Sequence, residues 1–168
     1  MLVVLTLVSV LFPVVLFPLH GIGDIKLLDL YFSYNADQVY NHLAALGAEG
    51  RSSYARMALT SDLAFPVSYS LTLSIALMLV LRKLFPSVSR FRYLCLFPFL
   101  IVIIDWCENL SLAFVTRAFP VRTDAIISSA SFFTSLKWSL VVLTVLLLLA
   151  TAAFWAVVVV RNREKGTL

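Results

Sequence analysis

Two carboxylates and an amide occupy one face of a strongly apolar segment, Ile103-Ile104-Asp105-Trp106-Cys107-Glu108-Asn109-Leu110. Spacings of three and four residues align Asp105, Glu108 and Asn109 if the segment is helical. An acidic side chain inside a bilayer costs about 2.5–3.5 kcal/mol on insertion scales, so it is kept mainly where it is used or paired. A protonated acid beside an ionised one is the arrangement that acid–base catalysis and proton-coupled transport require.

Other ionisable residues fall at the same predicted depth. Counting 1.5 Å per residue from Arg92 places Asp105 about 20 Å along its helix, in the outer half of a hydrocarbon core about 30 Å thick. Three further groups, each at one end of another apolar segment, are predicted at this level: His20, Asp62 and Lys137. The sequence therefore predicts one polar layer shared by four helices.

Two sets of candidate site residues follow from this layer. The candidate catalytic residues are Asp62, Asp105, Glu108, Asn109 and Lys137. The candidate substrate-binding residues precede Asp62, share its helix face or end the first apolar segment: His20, Arg51, Tyr54, Arg56 and Tyr69. Both active roles predict that Glu108→Gln abolishes activity in a protein that still folds.

Each of these residues also has a structural interpretation. The carboxylates could pair with Lys137 or an arginine and only hold the helices together. Lys137 could instead extend its ammonium group to the membrane surface. Asp62 is favourable at a helix N-terminus through the helix dipole alone.

The composition is that of a membrane protein. The 168 residues are 61% hydrophobic and 13% charged, with a mean hydropathy of +0.98, whereas soluble domains are about 45–50% apolar and 25% charged. We predict an all-α membrane protein with one polytopic domain, a four-transmembrane-helix bundle. Its four spans, each near the length needed to cross the hydrocarbon, are Leu2–Leu19 and about 62–81, 93–115 and 137–160.

The connections predict a cap and an orientation. Residues 20–61 are expected to form a short amphipathic helical cap, since Asn35 and Gln38 have capping-box spacing and Gly47 follows an apolar helical pattern. A second short helix is predicted over Arg51–Leu59. Seven of the thirteen Lys and Arg residues lie in the 82–92 loop and the C-terminal tail. The positive-inside rule then places both termini in the cytoplasm, and segments 20–61 and 116–136 opposite, in a bacterial inner membrane or an organelle membrane.

Several classes of function find no support in the sequence. Cys95 and Cys107 are predicted about 18 Å apart on one helix, too far to bridge. We find no metal-ligand cluster, P-loop or nucleophile elbow, and we predict no metal and no cofactor. The pI near 9.3 reflects basic residues placed by membrane topology, so no nucleic-acid partner is expected.

Four stretches of the chain resemble small, uncharacterised four-span bacterial-type integral membrane proteins. The stretches are Leu46-Gly47-Ala48-Glu49-Gly50-Arg51 with Tyr54, Asp62-Leu63-Ala64-Phe65-Pro66 with Tyr69, Asp105-x-x-Glu108-Asn109-Leu110 with Phe119-Pro120, and Phe133-Thr134-Ser135-Leu136-Lys137-Trp138. The resemblance implies the four-span architecture and this set of residues, and no particular activity.

Three functions are compatible with these patterns. The first is a membrane protein that binds or converts a lipophilic small molecule by acid–base chemistry in a carboxylate-lined pocket. The second is a proton- or cation-coupled transporter or channel, which four spans would build as a homo-oligomer. The third is a structural accessory subunit of a membrane complex. Membrane lipids are expected partners in each case.

Overall fold

All regular structure in the described part of the chain is helical. The computed structural model describes residues 2–4, 6, 7, 9, 11, 28–87 and 89–164. The α-helices from residue 28 onward are α1 (Ala36–Ala45), α2 (Gly47–Ala58), α3 (Ser61–Leu84), α4 (Phe99–Ala118) and α5 (Asp124–Glu164). Two 3₁₀ segments, Leu28–Leu30 and Ser89–Leu96, precede α1 and α4.

Three helical stretches are long and apolar enough to cross a membrane. They are Gly47–Leu84, Arg90–Ala118 and Asp124–Arg163, judged by length and composition. The predicted all-helical class and the presence of apolar helices of membrane-spanning length are thereby confirmed. Most of the predicted first span, Leu2–Leu19, and His20 lie outside the described residues.

Helices α1 and α2 form a hairpin, and α2 begins at Gly47, four residues before the predicted Arg51. Asn35 Oδ1 accepts a hydrogen bond from the Gln38 backbone N–H, and Gln38 Oε1 accepts one from the Asn35 N–H, both at 2.9 Å. This capping box begins α1. Gly47 follows the end of α1 with φ +66°, a left-handed conformation that glycine adopts without steric cost. The chain can therefore turn at once into α2.

The α1–α2 hairpin packs on one end of the long helices. Leu43 of α1 and Met57 of α2 join a buried cluster with Leu112 of α4 and Ile127 of α5. Each is at most 1% exposed, and burial of an aliphatic side chain of this size is worth about 1.5–3 kcal/mol. The Tyr40 hydroxyl also donates to the Val121 carbonyl oxygen at 3.2 Å, which fixes the α4–α5 connection against α1. We call this the hairpin end of the bundle.

Helix α5 begins thirteen residues before the predicted fourth span. The sequence from Asp124 to Leu136 looks like a connection because it is rich in serine. In the structure Ser128 and Ser129 donate to the carbonyl oxygens of Asp124 and Ala125, at 3.0 and 3.1 Å. Serine hydroxyls can compete with the backbone hydrogen bonds of a helix, but here they bond to carbonyl oxygens of their own helix. Lys137 therefore lies inside a helix of 41 residues and not at its start.

His42 gives the hairpin end a dependence on pH. Its ring packs edge-on against Tyr54, with centroids 5.7 Å apart, and its Nε2 is buried with no hydrogen-bond partner among the described residues. Burial lowers the pKa of His42 below its usual 6.5. Tyr31 and Tyr34 line a small cavity with His42.

We expect acid to destabilise the hairpin end through His42. As pH falls below about 6.5 the unfolded chain binds a proton before the folded chain does, so stability is lost as pH falls toward the folded pKa of His42. Thermal unfolding of the detergent-solubilised protein between pH 7.5 and 5 should show this loss, since about 6.5 is the ordinary His pKa. His42→Phe should weaken the dependence; equal slopes in the two proteins would contradict the assignment.

Candidate functional site

A buried ammonium group bridges the two carboxylates of α4. Lys137 Nζ lies 2.8 Å from Asp105 Oδ1 and 2.7 Å from Glu108 Oε2. The side chains of Lys137, Asp105 and Glu108 are 6%, 9% and 0% exposed. Of the two interpretations of Lys137, the structure has the ion pair, and the ammonium does not extend to the surface. Charges this far from water depend on one another, because each is costly to bury alone.

The remaining Glu108 oxygen binds a hydroxyl of α5. Thr134 Oγ1 donates to Glu108 Oε1 at 2.7 Å, and the same hydroxyl oxygen lies 3.1 Å from the hydroxyl of Tyr34. Thr134 precedes Lys137 by three residues, so both side chains reach Glu108 from one face of α5. Glu108 is thus bound through both oxygens to α5.

Asp105 and Asn109 connect α4 to α3. Asn109 Nδ2 donates to Asp105 Oδ2 at 3.1 Å and to the backbone carbonyl oxygen of Asp62 at 3.2 Å. An amide nitrogen carries two hydrogens, so both bonds can form together. Asp105 is held between Lys137 on one oxygen and Asn109 on the other, which fixes the direction of its carboxylate.

Pro66 explains why a backbone carbonyl is available at this point. Proline has no N–H, so Pro66 cannot donate to the carbonyl of Asp62 four residues earlier. The freed Asp62 carbonyl accepts from Asn109. The next carbonyl, that of Leu63, accepts from Trp106 Nε1 at 2.8 Å. In an apolar environment a freed carbonyl needs a partner from a neighbouring helix, and here Asn109 of α4 supplies it for Asp62.

The charged groups open onto a cavity of about 240 Å³. Its lining combines a polar floor with aromatic and aliphatic walls: Leu30, Asp62, Phe65, Tyr69, Asp105, Asn109, Lys137, Trp138 and Val141. Drug-sized ligands occupy about 300–1,000 Å³. The cavity therefore fits a polar head group or a small molecule, and not the whole of a large lipid.

An apolar groove adjoins this cavity along α5. Leu30 and Trp138 line both, and the groove continues past Val142 and Leu146. Val142 and Leu146 are 56% and 57% exposed, as expected of side chains that face lipid. Leu30 belongs to a segment that is fixed to α5 two residues later: Ser135 Oγ of α5 donates to the Phe32 carbonyl oxygen at 2.8 Å.

The structure brings together most of the predicted catalytic set. Asp62, Asp105, Asn109 and Lys137 line the cavity with Tyr69 from the substrate-binding set. Glu108 contacts Lys137 but is not part of the cavity lining.

The predicted residues of the hairpin lie elsewhere. Tyr54 is 3% exposed in the core of the hairpin end. Arg51 donates to the Leu43 carbonyl oxygen at 3.0 Å and places its guanidinium 4.3 Å from the centre of the Phe119 ring. Arg56 lines a separate groove with Arg51.

Four residues outside the two predicted sets complete the site. Thr134 binds Glu108, the Tyr34 hydroxyl lies next to the Thr134 hydroxyl, and Phe65 and Trp138 form cavity walls. Thr134 had a detectable signal, since it lies one turn before Lys137 on the same helix face. No sequence signal pointed to Tyr34, because its position depends on how a non-helical segment packs against α5.

No protein-family model matches the chain, and neither a curated protein nor a solved structure is detectably similar to it. Among the described residues, no three His, Cys, Asp or Glu side chains are grouped as metal ligands would be. The geometry of the cavity is therefore the basis for assigning a function.

Proposed function

We propose that the protein is an integral membrane protein that binds a lipophilic small molecule and acts on it by acid–base chemistry. The polar end of the molecule enters the carboxylate-lined cavity, and its apolar part lies in the groove along α5. The observation that supports this is the shared wall of Leu30 and Trp138. A polar cavity next to a lipid-facing apolar groove matches the two halves of an amphipathic molecule.

The cavity residues suggest a division of roles. Asp105 contributes to the cavity lining a buried carboxylate of fixed direction that can accept or donate a proton, while Lys137 stabilises negative charge beside it. Asn109 and Tyr69 supply polar groups that orient a substrate oxygen or nitrogen. Isomerisation, cyclisation or epoxide opening needs little beyond such placed groups and a site protected from water.

The proposal includes a topology with four spans. Leu2–Leu19 supplies the first span, both termini lie in the cytoplasm, and the α1–α2 hairpin forms a cap on the opposite side. The basic residues support this orientation, because the ends of α3 and α5 away from the hairpin carry Arg82, Lys83, Arg161 and Arg163. The cavity then lies below the cap, toward the outer half of the bilayer.

A second candidate is proton- or cation-coupled transport. It is favoured by Ser70 and Ser74, one turn apart on α3, whose buried hydroxyl oxygens have no hydrogen-bond partner within the described residues. Buried hydroxyls of this kind can bind water molecules and so extend a polar path beyond the carboxylates. Helix α5 carries few polar side chains after Lys137, so a polar path along it would be short. We therefore favour ligand binding over transport.

Filling the cavity tests the proposal directly. Val141→Phe adds bulk to the cavity wall without removing a charge, and we expect it to eject the ligand while the protein remains folded. The measurement is native mass spectrometry of gently extracted protein, with the released small molecules identified. Wild-type protein should carry one lipophilic molecule per chain, and Val141→Phe should carry none.

Val157→Phe is the matched control, because Val157 is 63% exposed on the same helix and lies outside the cavity. It should retain the ligand. A wild-type protein that carries no ligand, or a ligand that both variants retain, would contradict the proposal. Proton flux in vesicles that Asp105→Asn abolishes would then support transport.

A further inference from the structure

A second groove at the hairpin end is lined by three arginines. Arg51 and Arg56 come from α2 and Arg117 from the last turn of α4, around a groove of about 550 Å³. Ala48 and Ala55 form part of its wall, and their small side chains leave the groove open between the guanidinium groups. No described Asp or Glu is part of this lining.

The three arginines are not equally engaged. Arg51 is held by the Leu43 carbonyl oxygen and the Phe119 ring. The side chains of Arg56 and Arg117 are exposed, and their guanidinium groups form no hydrogen bond or ion pair with any described residue. The guanidinium groups of Arg56 and Arg117 are therefore available to a ligand, next to one that is already fixed.

The helix dipole accounts for part of this arrangement only. Arg56 and Arg117 lie in the last turns of α2 and α4, where a cation is favourable. The dipole does not require two helix ends to meet in one groove, or Arg51 to lie beside them. Three cations that line one groove with no described acid among them repel one another, and a bound anion removes this repulsion.

The position of the groove indicates where the anion comes from. Thr60 lines it and directly precedes the apolar helix α3, while Arg117 and Phe119 mark the end of the apolar helix α4. If α3 and α4 span a bilayer, the groove lies at the boundary between hydrocarbon and water. Phosphate groups of lipids lie at this level, and arginine binds phosphate through two parallel hydrogen bonds.

We infer that this groove binds a phosphate group, with Arg56 and Arg117 as direct ligands and Arg51 as a fixed cation beside them. The expected source is the head group of an anionic phospholipid; a soluble phosphate compound offers the same chemistry. The inference does not depend on the proposed function of the carboxylate-lined cavity, since the two sites share no lining residue.

The test compares lipid binding by full-length protein in neutral detergent. Phosphatidylglycerol, phosphatidylcholine or sodium pyrophosphate is titrated while thermal stability and native mass spectra are recorded. We expect phosphatidylglycerol to bind more tightly than phosphatidylcholine. The double variant Arg56→Gln/Arg117→Gln should weaken this binding about tenfold or more, because one charge-assisted hydrogen bond is worth at least that factor.

Two further variants make the result specific. Arg161→Gln/Arg163→Gln removes the same charge from exposed positions in the last turn of α5 and should leave the tight binding intact. Arg56→Lys/Arg117→Lys keeps the charge but loses the paired hydrogen bonds, so it should bind at intermediate strength. If pyrophosphate alone gives the same shift, sensitive to the same variant, the ligand is a soluble phosphate. Equal binding by wild type and Arg56→Gln/Arg117→Gln, or equal loss in the α5 control, would overturn the inference.

Discussion

Lys137→Met should destabilise the protein by about 3–5 kcal/mol, because it leaves the buried carboxylates of Asp105 and Glu108 without the ammonium group that bridges them. Methionine fills a similar volume, so the loss comes from charge and not from a cavity. We would measure it by titrating purified protein with a denaturing detergent and following helix content.

Two comparisons separate the ion pair from general damage. Lys83→Met is the matched control, since Lys83 is exposed and its ammonium only lies 4.4 Å from the Trp155 ring centre. Lys83→Met should lower the free energy of unfolding by no more than about 1 kcal/mol. The triple variant Asp105→Asn/Glu108→Gln/Lys137→Met, which carries no buried charge at this point, should recover much of the loss. A Lys137→Met protein as stable as wild type would show that the ion pair does not hold α4 to α5.

Regular helical rise explains how much of the site could be predicted. Counting residues along apolar segments assigned Asp62, Asp105 and Lys137 to one layer, and these residues line one cavity in the structure. The same count holds for any straight helix, whatever its neighbours. It needs no knowledge of packing, so it can group residues of α3, α4 and α5 before their contacts are known.

The sequence could not decide the role of Lys137. At the predicted start of a span, a lysine can reach either water or a buried carboxylate. Helix α5 begins instead at Asp124, about 20 Å earlier along the helix axis, and Lys137 is 5% exposed. The serines in the first turns of α5 make this part of the sequence look like a loop. In the structure Ser128 and Ser129 bond to the backbone of their own helix, and hydropathy does not predict such bonds.

Side chains of the hairpin were harder still to place. Arg51 and Arg56 precede Asp62 in the sequence, but the turn at Gly47 and the packing of α2 against α4 set their direction. They line the groove with Arg117 and not the cavity with Asp105. A pattern of residue types cannot specify such directions, because they depend on the angle between two helices.

Asp105→Asn and Glu108→Gln should differ in their effect on ligand binding, although both remove a partner of Lys137. Asp105 lines the cavity, so we expect its conversion to an amide to weaken ligand binding about tenfold or more, the loss of at least one charge-assisted hydrogen bond. Glu108 is fully buried and binds Lys137 and Thr134, and it is not part of the cavity lining. Its conversion should cost about 1–3 kcal/mol of stability and leave ligand binding nearly unchanged.

This expectation moves the decisive carboxylate from Glu108 to Asp105. Both variants would be compared by ligand occupancy in native mass spectra and by detergent titration, with Asp37→Asn as the control because Asp37 lies in an exposed ion pair with Arg122. Ligand lost only in Glu108→Gln would return the chemistry to Glu108. Ligand lost in neither variant would leave the carboxylates a structural role, in which the Lys137 bridge joins α4 to α5 and a different feature of the cavity selects the ligand.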